Sequence, residues 1–242
     1  MRIAISGTYS SGKTFTSYAL SHYTGIPRVR ARTMRELMPI AVPGKTLEQC
    51  TAAELVQLIV RRHTDRVLHE SRFPESFISD GTSLQEWIYG SVRVVVGINP
   101  NDSIHLSELE AVERTAEIAV FDAVMEQLGR AFKDHVKGTY DAFVHLPNEL
   151  ELARDGHRPV NERFRSMADE RLLQVAAELG MPTHIIGGSV ADRLVRIAEI
   201  FDLRALMPVD EAIDRADAEY RSLDMTIESD RAAVVGAVGA RA

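Results

Sequence analysis

The stretch Arg2-Ile-Ala-Ile-Ser-Gly7-Thr-Tyr-Ser-Ser-Gly12-Lys13-Thr14 decides how the rest of the chain is read. Residues 7–14 match G-x-x-x-x-G-K-[ST] in full, and the apolar run Ile3–Ile5 leads straight into them. Gly7 and Gly12 permit a turn tight enough to aim successive backbone N–H groups inward. The helix expected after Gly12 adds the positive end of its dipole. Such a loop cradles the phosphates of a nucleotide. The residues expected to hold ATP are Gly7, Ser10, Ser11, Gly12, Lys13, Thr14 and Phe15. Lys13 can reach the β- and γ-phosphates, and the Thr14 hydroxyl can bind a magnesium ion. A chance turn of similar composition is the bland alternative, and the strand–loop–helix setting argues against it. A second Gly44-Lys45-Thr46 has Pro39 where the earlier glycine belongs, so it reads as a loop.

Working outward, four more short apolar runs follow Arg2–Ser6: Arg28–Ala31, Ser76–Asp80, Tyr140–Leu146 and Thr183–Ile186. Helical patterns separate them over Gly12–His22, Ala52–Glu70, Ser107–Lys137, Glu162–Leu179 and Val190–Leu203. Strands alternating with helices predict an α/β fold with a mostly parallel five-stranded sheet flanked by helices. Met38–Thr51 and Ile98–Leu106, with their Pro, Gly and Asn residues, read as loops. Residues 1–206 form the expected domain. Residues 207–242 read as a helical extension, with an exposed helix over Val209–Ser222 and a frayed tail.

The 242 residues suit one α/β domain with a small appendage. A net charge of −7 provides no basic field for nucleic acid or anionic membrane. Cys50 is the only cysteine, which excludes an intrachain disulfide or a multi-cysteine metal site and suits a reducing compartment. No run approaches the ~20 apolar residues of a membrane span. A soluble, cytoplasmic protein is the expectation.

A P-loop serves several chemistries. The chain has no Asn-Lys-x-Asp or Thr-Lys-x-Asp guanine reader, and Asp80 is followed by Gly81 where a water-activating glutamate would stand in an AAA-type ATPase. A carboxylate at a strand end with arginines further on suits a kinase. Asp80 can accept the proton of an attacking hydroxyl or hold magnesium; its bland role is to cap a helix over Thr82–Tyr89. Arg154, Arg158, Arg163 and Arg165 fall within twelve residues and read as an Arg-rich lid. Arg158 and Arg163 are the candidates for stabilising the transferred group. Otherwise these arginines pair with Glu151, Asp155, Glu162 and Asp169 on a solvated helix start. Of Arg28, Arg30, Arg32 and Arg35, the last is placed to meet an acceptor. Trp87 and Tyr89 offer a stacking wall for a planar base, although aromatics at this spacing usually belong to the core.

Together these motifs resemble the P-loop kinases related to the kinase domain of bacterial ribosylnicotinamide kinase, the AAA-28-like group, and more distantly deoxynucleoside kinases. The likeness rests on Gly7–Thr14, Arg35-Glu36, Asp80, Tyr140-Asp141, Asp155-Gly156-His-Arg158 and Arg163. Gly187-Gly188 and Arg193 match the family's ending near its adenine site. The resemblance implies a nucleoside-kinase-like fold, an ATP donor and phosphorylation of a primary hydroxyl, often a ribose 5′-hydroxyl. Leu150-Glu-Leu-Ala-Arg-Asp-Gly156 replaces the family's Pro-Trp-x-x-Asp-Gly, and Asp80-Gly81-Thr82 replaces its Asp-Arg or Asp-Thr. Both departures fall around the acceptor pocket, so the resemblance implies the reaction more than the acceptor.

The expected function is ATP- and magnesium-dependent transfer of the γ-phosphate to a hydroxyl of a nucleoside or nucleoside-like riboside. The alternatives are a regulatory ATP-binding module acting on a protein partner and a kinase of a non-nucleoside metabolite. Val112, Ile118, Val120, Phe121 and Val124 exceed one narrow apolar stripe, which leaves room for a homodimer through the long helix.

Overall fold

The structure, a computed structural model, describes residues 1–29, 31–107, 110–152 and 161–222; the Arg35 side chain also lies outside the described residues. Strands β1 (Arg2–Ser6), β2 (Arg28–Val29), β3 (Phe77–Asp80), β4 (Ala142–His145) and β5 (Thr183–Ile185) form one sheet in the order β2-β3-β1-β4-β5. Every pairing is parallel. A parallel sheet buries both faces, so its strands carry apolar residues on both. In β1, Ile3 and Ile5 pack on one face with Ile78 and Val144, and Ala4 packs on the other with Phe77 and Phe143. Removing each such large aliphatic side chain from water contributes roughly 1.5–3 kcal/mol.

Helices α1 (Lys13–Thr24), α2 (Met34–Ala41), α3 (Ala52–Glu70), α4 (Ser83–Val96), α5 (Ala116–Thr139), α6 (Glu162–Glu178), α7 (Val190–Ile200) and α8 (Val209–Arg221) cover the two faces. The face of Ile3 and Ile5 is covered by α1, α7 and α8; the face of Ala4 by α3, α4, α5 and α6. Among the described residues no helix is long and apolar enough to cross a membrane.

Two expectations need correcting. Helix α2 begins before the stretch read as a loop and continues into it, because Thr33 and Glu36 form a capping box and Pro39 is accommodated within the helix. The long helix begins at Ala116 rather than Ser107: Thr115 accepts from the Ile118 N–H as N-cap, and Val112 instead donates to the Val95 carbonyl. The parallel register sets Ile5 beside Asp80 and Ser6 beside His145, which gathers the phosphate loop, the end of β3 and the end of β4 at one edge.

Candidate active site

The loop after β1 needs its glycines for steric reasons. Gly7 has φ 137°, and a Cβ there would lie 2.7 Å from both the Leu146 carbonyl oxygen and Ser11 Oγ. Gly12 has φ 85°, and its Cβ would meet Arg193 Nη1 at 2.9 Å. The loop is braced internally and from behind. Ser11 Oγ donates to the Thr8 carbonyl at 3.0 Å, and Thr8 Oγ1 donates to Asn148 Oδ1 at 2.6 Å. Arg193 Nη1 donates to the Ser11 carbonyl at 3.2 Å, while its Nη2 pairs with Glu149 Oε2 at 3.2 Å. Lys13 Nζ donates to the Thr8 carbonyl at 2.5 Å, so the lysine folds over the loop it belongs to. The first turn of α1 holds Lys13, Thr14 and Phe15, whose N–H groups have no partner within the helix.

Thr14 Oγ1 donates to Asp80 Oδ2 at 2.7 Å. The strand register brings this pair together, and Gly81 N–H donates to the Ile5 carbonyl at 3.0 Å. Capping of α4 falls to Thr82, whose hydroxyl accepts from the Leu84 N–H; Gln85 Oε1 accepts from the Thr82 N–H and hydroxyl, each at 2.6 Å. The cap therefore leaves the Asp80 carboxylate turned to the phosphate loop. Arg66 fixes the turn that carries it. This buried side chain donates through Nη1 to Ser79 Oγ at 3.0 Å, the Asp80 carbonyl at 3.1 Å and the Gly81 carbonyl at 3.0 Å. Burial alone would pull the Arg66 guanidinium down, but Tyr140, Glu86, Glu70 and Asp80 outweigh it and hold the group above its ordinary value. A hydroxyl and a carboxylate at the mouth of a phosphate loop match the oxygen ligands magnesium takes alongside phosphate oxygens. Among the described residues no group of three or more His, Cys, Asp or Glu could hold a metal by itself.

The remaining candidates divide. Arg163 lies in the first turn of α6, near Glu110, whose carboxyl hydrogen bonds from Ser107 hold low with help from His105 and Arg163. Arg165 is structural: Nη2 donates to the Leu150 carbonyl at 2.8 Å and Nη1 lies 3.7 Å from Glu162. Arg35 occupies the first turn of α2, and Arg158 lies outside the described residues. Trp87 is a correction. It is buried between α4 and α5, with Nε1 donating to the Met125 carbonyl at 2.8 Å, because residues two apart on a helix face nearly opposite ways. Tyr89 takes the other side, where its ring stacks on Tyr9 of the phosphate loop at 4.3 Å and lies 5.9 Å from Phe164. Phe15 is a partial correction, since its ring packs edge-on against Tyr220 of α8 at 6.1 Å and only its backbone faces the phosphate end of α1. Lys45 pairs with Glu54 at 2.6 Å, as suits a loop.

Sequence reading missed Arg66, Tyr9, Phe164 and Asn148. Their signal was faint, since each is a single residue in an ordinary helix or loop whose role depends on tertiary placement. Beside Arg193 lies a cleft of about 830 Å³, lined by Glu149, Gly187, Gly188, Asp192, Val209 and Asp210 among others. This is the position the resemblance implies for a nucleotide base.

Comparison with known proteins agrees with this architecture. A family model described as an AAA domain matches residues 2–193. No curated protein matches the sequence. Among solved structures, deoxyadenosine kinase from M. mycoides with bound dCTP superposes with a TM-score of 0.54 at 14% identity, covering 84% of this chain and 99% of that one. The same enzyme with bound dATP gives 0.54 at 15% identity, covering 84% and 100%. At such identity the likeness concerns the fold, which is that of a nucleoside kinase. The phosphate loop, the parallel sheet and the long family match converge, and the chain belongs to this AAA-domain family, with a fold like that of the deoxyadenosine kinase structures.

Proposed function

We propose that the protein is an ATP-dependent kinase that transfers the γ-phosphate to a hydroxyl of a small molecule, with a nucleoside or nucleoside-like riboside as the expected acceptor. The observation that carries this reading is the 2.7 Å hydrogen bond between Thr14 Oγ1 and Asp80 Oδ2 at the mouth of the phosphate loop. The kinase-like domain is residues 1–206, with 207–242 as an extension whose helix α8 packs on it and adds Val209 and Asp210 to the cleft, and the expected location is the cytoplasm. The loop amides and Lys13 hold the donor phosphates. Thr14 and Asp80 are the residues that would hold magnesium, which would neutralise charge on the donor phosphates when bound. Asp80 also orients or deprotonates the acceptor hydroxyl. Arg158 and Arg163 neutralise charge that spreads over the transferred group, and Arg35 meets the acceptor. Catalysis of this kind is mostly positioning and electrostatics.

Transfer of labelled phosphate from ATP to a panel of nucleosides, sugars and aminoalcohols tests the reading. A nucleoside product is expected. A sugar or aminoalcohol product would keep the kinase and change the acceptor, while ATP binding without any product would favour a regulatory nucleotide-binding module. Lys13→Ala should lower transfer by about 2–4 kcal/mol of transition-state stabilisation, comparable to loss of one preorganised donor. Wild-type transfer in that variant would refute the site.

A further inference from the structure

Arg62, Arg66 and Glu70 are spaced four apart, which lines them along one face of α3. Arg66 is 1% exposed, and a buried guanidinium is costly unless both its charge and its donors are met. Its charge is met by carboxylates. Glu86 Oε1 lies 3.7 Å from Arg66 Nη2 and 2.8 Å from Arg62 Nε, and the buried Glu70 adds a second negative group nearby. Its donors are used unevenly. Nη1 reaches three acceptors of one turn, while Nε has no hydrogen-bond partner among the described residues. Apolar residues often fill such a position with no loss of stability, so stability alone does not account for this arginine. The turn after β3 does. Gly81 has φ 74°, and glycine leaves such a turn many conformations. Arg66 holds the carbonyls of Asp80 and Gly81, and Ser79 Oγ donates to the Gly81 carbonyl at 2.8 Å. The Gly81 N–H is held by Ile5 and the Thr82 N–H by Gln85. One conformation of the glycine turn is thereby selected, directly beside the Asp80 carboxylate.

We infer that Arg66 is a positioning residue for the metal: by holding the carbonyls of Asp80 and Gly81 it aims the Asp80 carboxylate, and the magnesium-dependent part of nucleotide binding requires that aim. Thr14 Oγ1 donates to Asp80 Oδ2 at 2.7 Å, and Asp80 Oδ1 accepts no hydrogen bond among the described residues. One carboxylate oxygen is therefore left to meet a cation beside the phosphate loop. Magnesium demands near-ideal octahedral geometry, so a small swing of one ligand weakens it. Partners that orient a metal ligand without touching the metal typically matter by about 10–100-fold in affinity. Arg66 is such a partner, one residue removed from the chemistry. The inference rests on the reading above that Thr14 and Asp80 hold magnesium beside a nucleotide, and it does not depend on the identity of the acceptor.

Calorimetric titration of ADP into the full chain, once with magnesium and once with EDTA, tests this with no acceptor present. In the wild-type chain magnesium should tighten ADP binding. In Arg66→Met that gain should shrink by about tenfold or vanish, while the affinity in EDTA, set by the loop amides and Lys13, stays as it was. Arg66→Lys keeps the charge on a more flexible stem and should recover part of the gain. A merely structural Arg66 predicts a lowered melting temperature with the magnesium-to-EDTA ratio unmoved, even where both affinities fall, and that result overturns the inference. Should Arg66→Met fail to fold, Ser79→Ala carries the test. It removes the other donor to the Gly81 carbonyl, so a smaller fall in the same ratio is expected, and an unmoved ratio overturns the inference. A wild-type chain whose ADP affinity ignores magnesium overturns it as well. The kinase reading fails on a separate result, nucleotide binding with no hydroxyl acceptor phosphorylated.

Discussion

His63, on α3, holds its Nδ1 2.7 Å from Ser83 Oγ and stacks its ring on Phe132 at 4.1 Å, close to the turn that carries Asp80. Burial is the main cause that lowers its pKa from 6.5 to about 4, with His135 and Arg66 adding to the shift and Glu70 opposing it. The unfolded chain therefore binds a proton at His63 that the folded chain refuses between those two values. The stabilising effect is fully present above pH 6.5 and is lost as pH falls from 6.5 towards 4. After allowance for solvent around the half-buried ring, this amounts to about 1–2 kcal/mol. His63→Asn keeps a hydrogen-bonding group towards Ser83 but cannot titrate, so its urea-measured stability should fall less steeply over that range. An unchanged acid limb would show that other groups set it. At this scale the sequence carried the phosphate loop and Asp80, because motif spacing and the end of a strand determine where they go. Trp87 and the ring of Phe15 were not legible in the same way. Their surroundings, Met125 and Tyr220, come from distant parts of the chain that only the packed structure brings near.

Helix α5 contains two glycines with opposite surroundings. A Cβ on Gly129 would lie 2.5 Å from Trp87 Cε2, whereas a Cβ on Gly138 would meet nothing within 4 Å. Alanine gains up to about 1 kcal/mol over glycine in a helix interior, so both substitutions start with the same local advantage. Gly138→Ala should keep it and stabilise the protein by about 0.5–1 kcal/mol. Gly129→Ala should lose it to overpacking, with a net cost of about 1–3 kcal/mol, because Trp87 is held by its hydrogen bond to Met125 and by the flanking Lys133 and Arg171. Urea unfolding of both variants reads the difference, and equal effects would mean that the indole moves freely. The same contact shows why α5 could be recognised as a helix but not delimited. Apolar periodicity continues through Val112, yet capping by Thr115 and the link from Val112 to Val95 set the true start. Helix α2 shows the converse. Pro39 and the nearby Gly44 read as a loop, and the capping box of Thr33 and Glu36 was the local signal that outweighed them.

At the scale of the molecule, the apolar residues of α5 that suggested a homodimer are largely taken up within the chain. Ile118 and Phe121 are buried, Val124 packs against the same core, and Val120 alone of the helical set is well exposed, at 67%. The extension has a firmer connection than its acidic composition implied. Helix α8 buries Ala212 and Ala216 in the core shared with α1 and α7, and its Tyr220 meets both Phe15 and Tyr18. Glu219 pairs with His22 at 2.9 Å and with Arg28 at 3.1 Å. Its first turn also supplies Val209 and Asp210 to the cleft beside Arg193. A chain ending at residue 206 should therefore lose two separable things. Stability should fall by about 3–5 kcal/mol, mostly from exposing the apolar surfaces of α1 and α7. On the proposed reading that this cleft receives the base of ATP, ATP affinity should fall too, because one wall of the cleft is gone while the phosphate loop remains. Thermal melting and calorimetric ATP binding measure the two losses independently. Substituting Asp210→Ala in the full chain then isolates the wall, since this exposed residue can weaken ATP binding with little change in melting temperature. A truncated chain that melts and binds ATP as the full chain does would place α8 outside both the core and the site, as a helix that merely rests on a finished domain.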